Sequence, residues 1–162
     1  MKFRFEQTIG LPRDVLFSFY GNPGHLALLH REDTAFRLLH HDGALKIGNK
    51  MWFEINVARM LPVVLGFEQT IYEPPHRFSE DLIHGPFTQF THIHEFDEAT
   101  TGTIVRDLLE VELPPYYGGE LAMRTFIAPV LRRAFQLRGA TLQRLAQSGE
   151  VGSGAAPQPA RE

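Results

Sequence analysis

Hydrophobic and polar positions alternate along residues 2–10, KFRFEQTIG, where most odd-numbered residues are phenylalanine or isoleucine. A period of two residues is typical of a strand with one buried face. Pro12 and Asp14 then suit the first turn of a helix. The backbone N–H that proline lacks would have no partner within the helix at that position, and an acidic side chain is favoured near the helix N-terminus. We therefore predict a first strand followed by two short helices, LPRDVLFSFYGN and PGHLALLH.

Further strand-like segments follow, each bounded by turn residues. They are TAFRLLHH (34–41), KMWFEINVAR (50–59), VVLGFEQTIYE (63–73), RFSEDLIH (77–84), FTQFTHIHEF (87–96) and TIVRDLLEVEL (103–113). Asp42-Gly43 and Gly85-Pro86 are typical of hairpin turns, and residues 97–102, DEATTG, predict another. Because the connections between successive segments are short, we expect an antiparallel meander.

A helical period replaces the alternation from about residue 119 to residue 147. The apolar positions of this period are Met123, Phe126, Ile127, Val130, Leu131, Ala134, Phe135, Leu142 and Leu145. Pro129 interrupts the helix and should bend it. Residues 148–162, SGEVGSGAAPQPARE, are rich in glycine, alanine and proline without a period, and we expect a disordered tail there.

This order of elements predicts one α+β domain over residues 1–147. A curved antiparallel sheet with a long C-terminal helix laid across it leaves a space between the two layers. The chain has 13 phenylalanines, which can fill a core or line such a space. A cavity of this kind usually binds a small apolar molecule.

The composition narrows the class of partner. The net charge is −3, so there is no electrostatic case for nucleic-acid binding. The chain has no cysteine, so any metal site would have to use histidines and carboxylates. No apolar run approaches the about 20 residues of a membrane span, and the first residues do not resemble a signal peptide. We expect a cytoplasmic protein that is not stably inserted in a membrane, and the sequence leaves its oligomeric state open.

Four segments carry a resemblance to a known family: YEPPHRF (72–78), HGPFTQFTHIHEF (84–96), GTIVRDLLEVELPP (102–115) and LRRAFQLR (131–138). Together with the element order, they resemble a bacterial branch of the START/Bet v 1-like superfamily, which includes polyketide cyclase/dehydrase and lipid-transport domains of the SRPBCC type. The resemblance implies a helix-grip fold and a lipid, sterol, hormone or polyketide ligand. It also implies that some members catalyse cyclisation or dehydration. Their catalytic residues vary, so the resemblance assigns none to this chain.

One face of the hairpin formed by residues 87–96 and 103–113 holds the candidate site. If Phe96 pairs with Thr103, three further pairs lie opposite each other: His94 and Val105, His92 and Asp107, and Phe90 and Leu109. We predict that this face and part of the helix line the cavity, through Phe90, His92, His94, Phe96, Val105, Asp107, Leu109, Phe126, Ile127 and Val130. In this register His94 has no polar partner and is the freer group to meet a ligand.

The histidines of this face allow three interpretations. His92 and Asp107 could satisfy each other as a buried polar pair that orients the polar end of a ligand. Alternatively, Asp107 could hold His92 as a catalytic acid or base. A metal bound by His92, His94 and Asp107 is the third interpretation. We expect no metal or other cofactor, because no further cysteine or histidine spacing supports one.

The hypothesis that these observations favour is binding of a small hydrophobic or amphipathic molecule in an internal cavity. The alternative is a cyclase- or dehydratase-type enzyme that acts on a polyketide-like or aromatic compound through His92 and Asp107. An accessory protein that handles lipids or quinones is a third class. The pattern leaves open the ligand and which of the neighbours Trp52 and Phe53 faces the cavity, since adjacent strand residues point to opposite sides.

Overall fold

The computed structural model describes residues 1–31, 36–57 and 61–151. Within these ranges the strands are β1 (Lys2–Ile9), β2 (Phe36–His41), β3 (Lys50–Val57), β4 (Leu61–Glu73), β5 (Arg77–His84), β6 (Gln89–Ala99) and β7 (Gly102–Glu112). All neighbouring strands are antiparallel and form one sheet in the order β1-β7-β6-β5-β4-β3-β2. Strands β2 to β7 pair in chain order, which is the predicted meander, and β1 lies at the edge beside β7.

The helices are α1 (Arg13–Tyr20), α2 (Pro23–Leu29), α3 (Gly119–Ala122) and α4 (Ala128–Gln147), with a 3-10 turn at Pro115–Tyr117. The side chain of Asn22 caps α2 by accepting a hydrogen bond from the backbone N–H of Gly24 at 2.9 Å. Among the described residues, no helix is both long enough and apolar enough to cross a membrane. The described residues form an α+β architecture, in which the long helix α4 follows the strands of the sheet.

The predicted helix over residues 119–147 is not continuous. A π-helical turn, Met123–Ile127, separates α3 from α4, and Pro129 lies in the first turn of α4. Proline has no N–H to donate to the carbonyl four residues earlier, and its ring crowds that carbonyl. The wider π turn relieves this crowding. Pro129 thus changes the helix by altering the turn that precedes it.

Two apolar clusters join the helices to the sheet. The first contains residues of α1 and the end of α4, and includes Ile9, Leu16, Phe96, Val105 and Leu142. The second contains the start of the C-terminal helical region, and includes Phe3, Phe67, Leu109, Met123 and Ala128. The clusters therefore pack opposite ends of the C-terminal helical region against the sheet and leave the middle of α4 between them.

The packed part of the chain extends past the predicted domain boundary at residue 147. Val151 is buried in the first cluster, and its backbone N–H donates to the carbonyl of Leu145 at 3.4 Å. The rest of the predicted tail, residues 152–162, lies outside the described residues. Residues 34–35 and 58–60, which the alternation assigned to strands and a connection, also lie outside them.

The hairpin of β6 and β7 has a different register from the predicted one. Ala99 pairs with Gly102, so the turn is Thr100-Thr101 rather than the whole of residues 97–102. Phe96 consequently lies opposite Val105, and the predicted pairing of Phe96 with Thr103 is wrong. The two registers differ by two residues, so every side chain keeps its predicted face while its opposite neighbour changes.

Candidate functional site

A cavity of about 550 Å³ lies between the sheet, α2 and the middle of α4. Aromatic rings form much of its wall: Phe19, Tyr20, Phe36, Phe53, Phe67, Phe78, Phe90 and Phe135. Aliphatic side chains complete the apolar part, among them Leu26, Leu29, Leu131 and Leu137. This volume is within the range of about 300–1,000 Å³ that is typical of small-molecule sites.

A group of buried polar side chains interrupts this apolar wall. It consists of Gln69 on β4, Glu80 on β5, His92 and His94 on β6, and Arg138 on α4, and all five line the cavity. Gln69 lies opposite Glu80, and Glu80 lies opposite His92. Three neighbouring strands therefore place a row of polar groups on one face, and α4 supplies a cation above it.

His92 is held between two carboxylates. Its Nε2 lies 3.0 Å from Oδ1 of Asp107, and its Nδ1 lies 3.3 Å from Oε1 of Glu80. Burial lowers the pKa of His92, but the contacts with Asp107 and Glu80 outweigh burial and raise that pKa above its ordinary value. A ring whose two nitrogens both face carboxylates is stabilised as the imidazolium, which has no lone pair to offer, so this geometry does not favour His92 as a general base.

Asp107 lies behind this polar group and contacts three of its members, His92, His94 and Arg138. The same oxygen, Oδ1, lies 2.8 Å from Nδ1 of His94 and 3.6 Å from Nη2 of Arg138 as well as close to His92. Burial raises the pKa of the Asp107 carboxyl, but the charge of Arg138 and the histidine contacts hold that pKa well below its usual range. Two carboxylates, one imidazolium and one guanidinium thus balance one another in the interior.

His94 has a partner, contrary to the prediction, because the observed register places it directly opposite Asp107. The 2.8 Å contact is close, but the oxygen lies off the direction of a ring N–H, so it is not a hydrogen bond. The ring also stacks on Phe78, with centroids 4.3 Å apart. Burial, together with the charge of His92, lowers the pKa of His94, and the ring is neutral.

Gln69, Glu80 and Arg138 are the members of this site that the sequence did not assign to it. Glu80 accepts a hydrogen bond from Nε2 of Gln69 at 3.1 Å. Burial raises the pKa of Glu80, but the contacts with His92 and His94 outweigh burial and lower that pKa below its ordinary value. The alternation of residues 77–84 did contain a signal, since Glu80 shares a strand face with the apolar Phe78.

The predicted lining residues fall into three groups. Phe90, His92, His94 and Val130 line the cavity. Phe96, Val105 and Leu109 are buried in the apolar clusters beside it, whereas Asp107 lies behind the two histidines and Ile127 packs in the second cluster. Phe126 is 65% exposed, so its placement in the cavity is wrong. The π turn that contains Phe126 changes the angular spacing of its side chains.

The choice between Trp52 and Phe53 is also resolved. Phe53 lines the cavity and stacks on Phe67 at 5.3 Å between centroids. Trp52 lies on the other face, over Gly66, where an added Cβ would come within 2.8 Å of the indole. Gly66 therefore provides the space in which Trp52 packs.

Comparison with known proteins supports the fold alone. No protein-family model and no curated protein matches the chain. Among solved structures, TTHA0849 from Thermus thermophilus has a TM-score of 0.73 and 16% identity, covering 92% of this chain and 99% of that one. Protein CV1439 from Chromobacterium violaceum has a TM-score of 0.69 and 14% identity, with 90% and 96% covered. Ms6760 from Mycobacterium smegmatis has a TM-score of 0.69 and 15% identity, with 91% of each chain covered.

A further histidine, His30, lies at the cavity wall beside α2. Its ring stacks on Phe36 with centroids 3.9 Å apart. Burial, and to a smaller extent the charge of Arg138, lowers the pKa of His30 to about 3, while Asp107 offsets only part of this shift. The ring is therefore neutral in the folded protein at any pH near neutrality.

The low pKa of His30 predicts a loss of stability in acid. Below the unfolded-state value of about 6.5, the unfolded chain binds a proton that the folded chain does not, so the stability that His30 contributes falls as pH falls. At pH 5 this linkage amounts to about 2 kcal/mol. Urea unfolding at pH 8 and pH 5 should show that wild type loses about 2 kcal/mol more than His30→Gln between these values. Equal losses would show that His30 is protonated in the folded state.

Proposed function

We propose that the protein binds a small hydrophobic or amphipathic molecule, of the lipid, polyketide-like or aromatic class, between the sheet and α4. The observation that carries this proposal is the cavity of about 550 Å³, with its aromatic wall and its group of buried polar side chains. Protein interiors are close-packed and contain few voids larger than a water molecule. A space of this size between two well-packed clusters supports a role in holding a ligand.

The proposal includes membership of the START/Bet v 1-like superfamily and a helix-grip fold. The curved antiparallel sheet, the long C-terminal helix and the likeness to solved structures over about nine-tenths of the chain are consistent with that fold. The four sequence segments that resemble the superfamily add to this support. Because the solved structures share so little sequence with this chain, they say nothing about its ligand.

The polar atoms around the cavity indicate what kind of polar end the ligand has. Four buried atoms of cavity-lining residues lack a hydrogen-bond partner among the described residues: the hydroxyl of Tyr20, Nε of Arg138, Oε1 of Gln69 and Nδ1 of His94. Burial raises the pKa of Tyr20 to about 12, so its hydroxyl keeps its proton. Two of these groups are donors, which suits a ligand whose polar end carries a carbonyl or hydroxyl oxygen.

The second candidate is a cyclase- or dehydratase-type enzyme. In this candidate His92 acts as the acid that donates a proton to the substrate, rather than as a base. Asp107 and Glu80 hold the ring in place. Loss of turnover in His92→Gln with ligand affinity and folding retained would support the enzyme. Parallel loss of affinity and stability would support the binding protein.

Filling the cavity should abolish binding. Ala134 lines the cavity on α4, and Ala134→Trp would place an indole in the space that the ligand occupies. We expect the affinity for a neutral fluorescent probe, N-phenyl-1-naphthylamine, to fall at least about tenfold, because a filled pocket loses the apolar contact that drives binding. Fluorescence titration measures the affinity, and native mass spectrometry of freshly purified protein detects ligands that copurify.

Ala27→Trp is the matched control, since Ala27 is exposed on α2 and does not line the cavity. This variant should bind the probe as wild type does. Thermal unfolding of both variants separates a filled cavity from a disrupted fold. Equal affinity in Ala134→Trp and wild type, with both proteins folded, would show that the probe does not enter the cavity and would count against the proposal.

A further inference from the structure

Three buried side chains converge on one point of the cavity wall: Glu80, His92 and His94. Each offers one ligand atom, and these atoms lie within 4.8 Å of one another. Oε1 of Glu80 is 3.3 Å from Nδ1 of His92 and 3.9 Å from Nε2 of His94. In a tetrahedral zinc site with bonds of about 2.0–2.1 Å, ligand atoms are about 3.3 Å apart. Small side-chain rotations would therefore bring these three atoms into the positions that a metal ion requires.

These three residues lie on strands of the sheet and not on a loop, so the strand pairing fixes their positions. Glu80 lies opposite His92 in the pairing of β5 with β6, and His94 is two residues further along the same face. Side chains on neighbouring strands of one face have little freedom to move apart. The donors are thus preorganised, which lowers the entropic cost of gathering them around an ion.

The remaining nitrogens of both histidines face a second carboxylate. Nε2 of His92 makes a hydrogen bond of 3.0 Å with Oδ1 of Asp107, which lies behind the rings. Nδ1 of His94 lies 2.8 Å from the same oxygen without a hydrogen bond. Histidines that bind metals almost always direct their other ring nitrogen to a carboxylate, a carbonyl or water, which orients the ring and raises its basicity. Arg138, at 3.6 Å, balances the charge of Asp107.

We propose that Glu80, His92 and His94 bind a divalent transition-metal ion such as Zn²⁺, with its open coordination positions directed into the cavity. Two imidazoles and one carboxylate are a donor set that zinc accepts while leaving a position for water or another ligand. A ligating histidine is neutral, so the ion takes the place of the proton on Nδ1 of His92, and binding releases that proton to solvent. This set differs from the one considered from sequence, in which Asp107 was the third ligand. In the structure Asp107 orients His92 through a hydrogen bond, and Glu80 is the carboxylate that shares one point with both histidines. The proposal concerns these side chains alone and is independent of the apolar ligand.

The test uses the full-length protein, freed of metal by a chelator and dialysis, and titrated with Zn²⁺ or Co²⁺ alone against a chromogenic competitor. We expect one ion per chain, and a visible Co²⁺ absorption band of four- or five-coordinate geometry. Asp107→Asn should weaken binding about 10–100-fold, the loss typical of a carboxylate that orients ligands. Glu80→Gln, which removes a ligand, should weaken binding further than Asp107→Asn does.

His40, His41 and Asp42 form an exposed cluster that could bind metal adventitiously, with Nε2 of His40 3.1 Å from Asp42. The matched control is therefore the double variant His40→Ala/His41→Ala, which should bind as wild type does. Far-ultraviolet circular dichroism checks that each variant folds. X-ray absorption of the Zn²⁺-loaded wild type gives a second readout, with two imidazoles expected. Absence of binding at about 100 μM free metal, or binding lost in the control and kept in folded Glu80→Gln, would overturn the proposal.

Discussion

Replacing Asp107 with alanine is expected to lower the free energy of unfolding by about 3–5 kcal/mol. Asp107 is 6% exposed and contacts both histidines and Arg138, which is itself 7% exposed. Without the carboxylate, the guanidinium remains buried with no anion within 4 Å among the described residues, and His92 loses one of the two groups that hold its proton. Removing one partner of a buried ion pair is costly for this reason. Urea denaturation at pH 7 measures the change.

Asp97→Ala is the matched control at the surface of the same hairpin. Asp97 is an ion-pair partner of Arg106, and its side chain is 56% exposed. Exposed ion pairs contribute little, so this substitution should cost less than about 1 kcal/mol. Equal costs for the two substitutions would show that the charges around Asp107 are not buried in solution.

A double variant separates the charge effect from simple loss of packing. Asp107→Ala combined with Arg138→Met removes both the anion and the guanidinium that depends on it. This protein should be at least about 1 kcal/mol more stable than the two single effects added together, because contacting residues are energetically coupled. Additive effects would instead indicate that Arg138 is stabilised by other contacts, such as its position 5.1 Å above the Tyr20 ring.

The sequence predicted which face of each strand carries the site, because the side-chain period in a strand is two residues. This period is insensitive to an error of two residues in register, so His92, His94 and Asp107 were placed on one face correctly. Their contacts were not, since the polar residues Asp97 and Glu98 looked like part of a turn. They belong to β6, and the two-residue turn that follows is closed by Gly102.

Glu80 was missed because its contact with His92 depends on the register of β5 against β6. A tight turn at Gly85-Pro86 would pair His84 with Phe87 and put Glu80 opposite Thr91, on the solvated face. The observed pairing instead ends at Asp81 opposite Thr91, well before the turn, and its register places Glu80 opposite His92. Local propensity could not predict this register, since the register is set by how β5 and β6 pack with their other neighbours.

Phe126 illustrates a similar limit for the helix. The regular period of 3.6 residues placed it with Ile127 and Val130 on the apolar stripe. The π turn before Pro129 breaks that period, and Phe126 is exposed. A proline inside a helical pattern signals a disturbance, but the pattern does not say whether the helix ends, bends or widens.

Replacing Gly102 with alanine is expected to cost about 3–5 kcal/mol, through backbone strain and a steric clash. Gly102 has φ = 136°, which side chains with a Cβ rarely adopt. A Cβ there would lie 2.1 Å from the carbonyl oxygen of Ile9 and 2.8 Å from Cα of Gly10. These atoms are backbone, so no side-chain rotation relieves the clash, and either the end of β1 or the β6–β7 turn must move. Urea unfolding of both proteins measures the cost.

Gly43→Ala separates the clash from the strain. Gly43 has φ = 112°, and no described atom lies within 4 Å of the place that an added Cβ would take, so only a conformational cost of about 1–2 kcal/mol is expected. Gly102→Ala should therefore be the more destabilising of the two. Gly102 pairs with Ala99 and closes the turn that sets the register of His94 against Asp107. Its replacement should therefore also weaken Zn²⁺ binding by Glu80, His92 and His94. Equal costs for both variants would mean that the turn yields easily, and that the register at the site is held by packing further along the strands.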